Sequence, residues 1–282
     1  MRILITGAQG RLGKRLAEAL QPHHYVIAAD RSHFDMTDWQ AAHGFITHAA
    51  PDIVLHAAAW TDVDGCAKDP DRAVLINGYG TQHVALAAAA AGAAMLYVSS
   101  NEVFDGTAET VYREYDPTQP ANPYGYSKWV GEQAAIRATP RHYIVRTAWL
   151  FAHGGKNFIQ AILNAAGVGK PLRVVTDEVA NPTYTDDLAD AIVHLIATER
   201  YGTYHFVNEG YCSRYDFARF VLDQCGYADT PIEPITRADW QRASSPPPFS
   251  PLTNSAGHTV GISLRPWQDA VLAFLEQEQL LK

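Results

Sequence analysis

The stretch Met1-Arg2-Ile3-Leu4-Ile5-Thr6-Gly7-Ala8-Gln9-Gly10-Arg11-Leu12-Gly13-Lys14-Arg15-Leu16 decides the fold. Ile3 to Thr6 form a short apolar run, and Gly7, Gly10 and Gly13 punctuate a turn. Leu12, Leu16 and Leu20 then follow at four-residue spacing, with Lys14, Arg15 and Glu18 facing away. That order reads as strand, tight turn and amphipathic helix. Without side chains at the glycines the backbone can approach a pyrophosphate, and the helix N-terminus favours its charge. Three glycines at this spacing exceed what one turn requires.

Working outward, Tyr25–Ala29 is a second apolar run that ends at Asp30, and Asp52–Ala59 is a third, after a helix expected around 37–49. A helix over 78–94 carries the alanine run Ala87–Ala91, and alanine is the best helix former. A strand at Met95–Ser99, a loop to about 122, a helix from Tyr124 to about Ala138 and a strand at Tyr143–Trp149 complete the regular part. Alternating strands and helices predict an α/β fold, a Rossmann-type doubly wound parallel sheet. Beyond it the pattern loosens. Short strands are expected at 172–176 and 203–208, Thr185 as the cap of a helix from Asp186 to about Glu199, and Ser213 as the N-cap of the next helix with Asp216 at its third position. Ser244–Pro251 cannot be regular, and Pro266 is placed to open the last helix. The expected division is a dinucleotide-binding domain over 1–151, with later crossings near 172–207, and a smaller α+β substrate lobe made mainly of 152–282.

Composition narrows the function. The 282 residues are 47% hydrophobic and carry a formal charge of -8, which lacks the basic surplus that nucleic-acid binders use. The three cysteines, Cys66, Cys212 and Cys225, are scattered, which suits a reducing cytoplasm better than a disulfide framework. No segment approaches the ~20 apolar residues of a membrane span, and the short N-terminal run does not read as a signal peptide. None of the 12 His forms a compact ligand cluster, so no metal is expected.

The chemistry is expected at Tyr124 and Lys128. Four residues apart on a helix, they point the same way, and an ammonium beside a phenol eases proton transfer. Ser100, at the carboxyl end of the strand at 95–99, can donate to the same substrate oxygen, because ligands of open α/β sheets bind outside the strand ends. Asp30 is placed for an adenosine ribose hydroxyl and Arg31 for a 2'-phosphate, which leaves NADH and NADPH both open.

With these residues in view, the chain resembles the extended short-chain dehydrogenase/reductases and, within them, the dTDP-4-dehydrorhamnose reductases. The matching segments are Gly7-x-x-Gly10-x-x-Gly13, His56-Ala57-Ala58-Ala59-Trp60-Thr61-Asp62-Val63-Asp64, Val103-Phe104-Asp105-Gly106 and Tyr124-Gly125-Tyr126-Ser127-Lys128. Arg146–Phe151, Asn157-Phe158, Pro182-Thr183 and Asp187-Leu188-Ala189 follow in the family's order. The resemblance implies that Gly10, Arg11 and Leu12 meet the cofactor diphosphate, Asp30 the ribose, and Asp35 with Met36 the adenine end. It places Ala59, Trp60, Thr61 and Val98 on the nicotinamide side. Ser100, Tyr124 and Lys128 become the catalytic set, the last two also touching cofactor, while Asn101, Glu102 and Trp149 meet the sugar. The implied reaction is NAD(P)H-dependent reduction of the C4 ketone of a 4-keto-6-deoxy nucleotide sugar, hydride from the nicotinamide and the proton from Tyr124.

Two departures keep alternatives open. Ser100-Asn101-Glu102 stands where the reductases usually have Thr-Asp-Tyr and nucleotide-sugar dehydratases have Thr-Asp-Glu, so Glu102 favours an epimerase or dehydratase and Asn101 opposes it. Pro246 stands where the reductases have an Arg that suits a diphosphate, and Arg242 is the candidate substitute. A non-catalytic cofactor-binding regulatory subunit is the third reading, opposed by the intact Ser100, Tyr124 and Lys128. A homodimer is compatible with all three, since nothing in the residues fixes the oligomeric state.

Overall fold

The computed structural model describes residues 1–155 and 157–282. Its elements run β1 (Arg2–Thr6), α1 (Arg11–Leu20), β2 (Tyr25–Ala29), α2 (Trp39–Ala49), β3 (Ile53–His56), α3 (Val63–Lys68), α4 (Pro70–Ala73), a π-helical stretch Val74–Gly80 and α5 (Thr81–Ala90). Next come β4 (Ala94–Ser100), a 3-10 turn Asn101–Val103, α6 (Pro123–Ala138), β5 (His142–Thr147), β6 (Leu150–Phe151), α7 (Phe158–Gly167), β7 (Leu172–Val175), β8 (Val179–Ala180) and β9 (Thr183–Tyr184). The chain closes with α8 (Thr185–Ile196), β10 (Gly202–His205), β11 (Cys212–Ser213), α9 (Arg214–Gln224), β12 (Ile232–Ile235), α10 (Ser255–Thr259) and α11 (Trp267–Gln277).

Six strands form one parallel sheet in the order β10-β5-β4-β3-β1-β2. Successive residues of a strand point to opposite faces, so each buried strand serves two cores. Ile3, Ile5, Leu55 and Leu96 pack with α1 and α8 on one side, while Leu4, Val54, Met95 and Tyr97 pack with α2 and α5 on the other. Arg15 pairs with Asp186 and Asp190, which ties α1 to α8 across the outer surface. A third core joins Phe151, Leu163, Phe217, Val221, Trp267 and Phe274, and there β7 pairs with β12 outside the large sheet.

Several boundaries differ from the sequence expectation. β3 ends at His56, so Ala57–Ala59 leave the sheet instead of continuing it. The helix expected over 78–94 is α-helical only at Thr81–Ala90, after the π-helical stretch. Thr185 does not cap α8. It is the first helical residue, the N-cap is Tyr184, and the Thr185 hydroxyl donates to the Phe151 carbonyl (3.0 Å). Ser213 does cap α9, in a capping box with Asp216, and Pro266 immediately precedes α11.

Candidate active site

β1 leads to β2 on one side while the chain returns on the other side at β3, so a crevice opens between the ends of β1 and β3. This reversal point is where open α/β sheets bind ligands. A cleft of about 520 Å³ lies there, lined by Gly7 and Gly10, by Asp30, Arg31, Asp35 and Met36, and by Ala57–Trp60. Gly7 has φ +69°, and a Cβ on it would come within 2.7 Å of the Ala58 backbone. A Cβ on Gly13 would lie 2.3 Å from the Gly7 carbonyl oxygen, so this glycine seats α1 against the turn. Gly10 caps α1 without a side-chain hydrogen bond, and Lys14 is the first residue whose N–H bonds back into the helix, to the Gly10 carbonyl. The N–H groups of Arg11, Leu12 and Gly13 therefore precede the helical ladder, as a diphosphate-binding helix end requires. The cradle fits a dinucleotide.

Of the residues expected around it, Gly7, Gly10, Asp30, Arg31, Asp35, Met36, Ala59 and Trp60 line the cleft. Leu12 is buried, its side chain in the core, so only its backbone can serve a ligand. Thr61 is exposed and Val98 is half-buried on β4, and neither lines the cleft. Asp30 Oδ1 accepts from the Ser32 N–H (2.8 Å), the Ser32 hydroxyl (2.6 Å) and the His33 ring (2.9 Å). Those bonds, led by the Ser32 hydroxyl, hold the carboxyl down at about 2. Arg31 is exposed and faces Asp35 at 3.4 Å.

At the carboxyl end of β4, Ser100 meets the start of α6. Pro123 occupies the first turn of α6, and Asn122 caps it by accepting from the Gly125 N–H (2.8 Å). Gly125 permits the approach, since a Cβ there would fall 1.9 Å from the Glu102 carbonyl oxygen. Tyr124 and Lys128 thereby share one buried face, as the spacing predicts. Burial, followed by the Glu102 charge, pushes the Tyr124 phenol above its ordinary value, and a hydrogen bond with Ser100 pulls the other way. Burial brings Lys128 down to about 7, and its Nζ donates to the Val98 carbonyl (2.7 Å). The Ser100 hydroxyl also accepts from the Glu102 N–H (3.2 Å), so it caps the 3-10 turn while facing Tyr124.

Asn101 is buried, accepting from Ser100 (3.2 Å) and donating to the Ser250 hydroxyl (2.7 Å). Glu102 accepts from Asn122 Nδ2 (2.7 Å), and burial raises its carboxyl pKa. Trp149 sits at φ +41° with the Arg214 guanidinium 3.5 Å from its ring centroid. Arg242, the candidate substitute for the missing Arg at Pro246, pairs with Asp64 (3.1 Å) and Glu178 (3.8 Å).

Sequence reading missed Asn77, Arg72 and Arg214. Asn77 is fully buried, accepts from the Trp60 N–H (2.7 Å) and donates to the Trp60 carbonyl (3.0 Å) and the Ser127 hydroxyl (2.9 Å). It therefore clamps the cleft wall to α6. Arg72 lies over the Trp60 ring at 4.8 Å. Gly78 and Gly80, on either side of Tyr79, are the signal that could have marked an irregular helix beside Asn77, but no local pattern marked Arg72 or Arg214.

Fold, cleft and the clustering of Ser100 with the α6 face that bears Tyr124 and Lys128 define, with the relatives below, an NAD(P)-dependent oxidoreductase of the extended short-chain dehydrogenase/reductase type. The model of the RmlD substrate binding domain family matches residues 1–280. The chain belongs to that family, the dTDP-4-dehydrorhamnose reductases. It is 38% identical over 283 residues to a dTDP-4-dehydrorhamnose reductase of Mycobacterium tuberculosis, covering 97% of this chain and 92% of the relative. It is 37% identical over 277 residues to the spore coat polysaccharide biosynthesis protein SpsK of Bacillus subtilis, covering 98% and 97%. The crystal structure of a dTDP-4-dehydrorhamnose reductase from Clostridium acetobutylicum superposes with a TM-score of 0.95 at 35% identity, covering 99% of this chain and all of that one. The Bacillus anthracis reductase, crystallised in complex with NADP, superposes with a TM-score of 0.93 at 33% identity, covering 98% and 99%. Among the described residues, no helix is long and apolar enough to cross a membrane.

Proposed function

We propose that the protein reduces the C4 ketone of a dTDP-4-keto-6-deoxy sugar. The observation that carries this reading is the hydrogen bond between Ser100 and Tyr124, at the carboxyl end of β4 beside a dinucleotide-shaped cleft, with Lys128 on the same buried face of α6 as Tyr124. Bound NADPH or NADH would supply hydride to C4. Gly7, Gly10, Gly13 and the N–H groups of Arg11 and Leu12 hold the diphosphate, Asp30 and Arg31 the ribose end, Asp35 and Met36 the adenine end, and Ala59, Trp60, Thr61 and Val98 the nicotinamide side.

The C4 oxygen lies between the Ser100 and Tyr124 hydroxyls. As negative charge develops there, Tyr124 delivers its proton, and the Lys128 ammonium lowers the cost of the phenolate left behind. A phenol raised by burial gives up its proton reluctantly unless such a cation is near, so the step depends on Lys128 being charged. Glu102, held by Asn122, and Trp149, held by Arg214, flank the sugar, with Asn101 setting Ser100 from behind. In the same proposal, residues 1–151 with the α8–β10 crossing carry the cofactor, the rest of 152–282 closes over the sugar, and the protein works in the cytoplasm as a homodimer without nucleic acid.

Mixing the protein with NADPH or NADH and a dTDP-4-keto-6-deoxyhexose, while following nicotinamide absorbance, tests the reading. Oxidation that depends on both protein and sugar is expected. Its absence, with cofactor binding shown separately, overturns the proposed substrate.

A further inference from the structure

Lys128 is 3% exposed, yet it forms no ion pair with a carboxylate among the described residues. Its Nζ has one hydrogen bond, to the Val98 carbonyl, and stands 4.2 Å from the centroid of the Tyr97 ring. Val98 and Tyr97 are consecutive on β4, so one strand presents both a carbonyl dipole and an aromatic face to the same ammonium. The Tyr97 ring is fully buried and held from the side. His56, its cross-strand partner on β3, stacks on it with centroids 5.6 Å apart at an interplanar angle of 22°.

His56 is itself fixed. Its Nδ1 is 2.6 Å from the Thr6 hydroxyl, and its Nε2 is 3.1 Å from the Thr81 hydroxyl. The Thr81 hydroxyl donates to the Asn77 carbonyl (2.6 Å), so it must accept from Nε2–H, which leaves Nδ1 to accept from Thr6. This tautomer is neutral and adds no second cation beside Lys128.

We propose that Tyr97, steadied by His56, is a positioning residue whose ring face keeps the Lys128 ammonium charged and aimed under Tyr124. The physical need is plain. Removing an ammonium from water favours the neutral amine, and a desolvated cation over an aromatic face recovers part of that loss. The other titratable groups acting on Lys128 are Glu132 on its own helix, Cys66 on α3 and His56 on β3, and Tyr124 shares its buried helix face. Glu132 is engaged by Nε and Nη2 of Arg146 (2.9 and 2.8 Å), which leaves the ring, beside the Val98 carbonyl, as the near partner of the ammonium.

The inference rests on the proposed reductase reading, but its primary test does not. The chain has six lysines, so a lysine-labelled sample gives few side-chain resonances, and Lys128→Met assigns the one that matters. The titration of Lys128 is followed by NMR in the full chain, free and with NADPH. Tyr97→Phe keeps the ring face and should leave the midpoint unchanged. Tyr97→Leu should lower it by about one pH unit, and the alkaline limb of kcat/KM should move down with it. Pentafluorophenylalanine at position 97 keeps the shape but reverses the ring's charge distribution, so it should behave as Leu does, even if the Leu variant fails to fold. A Lys128 midpoint that is the same in the Phe and pentafluorophenylalanine proteins overturns the proposal. Shifted midpoints in a protein that does not reduce the sugar would leave this inference standing and remove the substrate reading alone.

Discussion

The Arg214 guanidinium lies over Trp149, 3.5 Å from the ring centroid, and so joins the first residue of α9 to the positive-φ residue immediately before β6. Burial lowers the arginine to about 10, which leaves it charged at neutral pH, with Glu178 at 3.9 Å. A planar cation on an aromatic face fixes the wall against which the sugar is proposed to rest. Arg214→Ala should raise the KM for the sugar nucleotide roughly tenfold. The kcat should stay within about twofold, because the contact precedes chemistry. Steady-state kinetics decides this, and a fall in kcat at constant KM would place Arg214 elsewhere in the reaction.

Tyr124 and Gly125 separate chemistry from approach. Tyr124→Phe should lower kcat by about 10² or more with NADPH affinity retained. Gly125→Ala pushes a methyl into the Glu102 carbonyl and moves Tyr124 away from Ser100. It should lower both kcat and thermal stability, by about 1–3 kcal/mol for the latter. Equal thermal midpoints for Gly125→Ala and the parent would contradict the close contact.

In the proposed site, cofactor choice is expected to turn on Asp30 and Arg31, adjacent residues of opposite charge. Asp30 is ionised and accepts its three hydrogen bonds at Oδ1, which suits a ribose hydroxyl and repels a 2'-phosphate. Arg31, 85% exposed at the side chain, can swing to that phosphate at little cost because its pairing with Asp35 is solvated. Arg31→Ala should weaken NADPH about tenfold and leave NADH nearly unchanged. Titration calorimetry with both cofactors measures it, and equal losses would remove the phosphate role.

His56 makes stability depend on acid. Burial, with the Lys128 charge adding to it, lowers its pKa from 6.5 to about 3, so between those values the unfolded chain binds a proton that the folded chain refuses. Stability from this site is complete above pH 6.5 and is lost progressively as pH falls toward 3, by about 5 kcal/mol over the full window. His56→Asn should be less stable at neutral pH, since it gives up the Thr6 and Thr81 bonds, but its stability should fall less between pH 6.5 and 4.5. Urea midpoints at the two pH values test the difference.

Local chemistry made much of the site legible. The glycine turn, the apolar run of β1 and the four-residue leucine spacing of α1 are neighbours in sequence, and their geometry follows from backbone sterics and helix periodicity alone. Tyr124 and Lys128 were legible for the same reason, being one helical turn apart. Thr185 was misread because a hydroxyl at a helix start looks like a cap, whereas here the Phe151 carbonyl, 34 residues away, takes its hydrogen bond. The end of β3 was misread because alanines continue an apolar run equally well in a strand or a turn.

The parallel sheet, the glycine turn and the helix that aligns Tyr124 with Lys128 are each written in residues within a few turns of one another. What surrounds them comes from packing between distant elements. Arg214 meets Trp149 across 65 positions, Asn77 clasps Trp60 across 17, and Tyr97 slides under Lys128 across 31. Those contacts depend on how strands order in the sheet and on which helix settles on which face. Periodicity carries that information for a single element, and only the packing of many carries it for a pair of distant side chains.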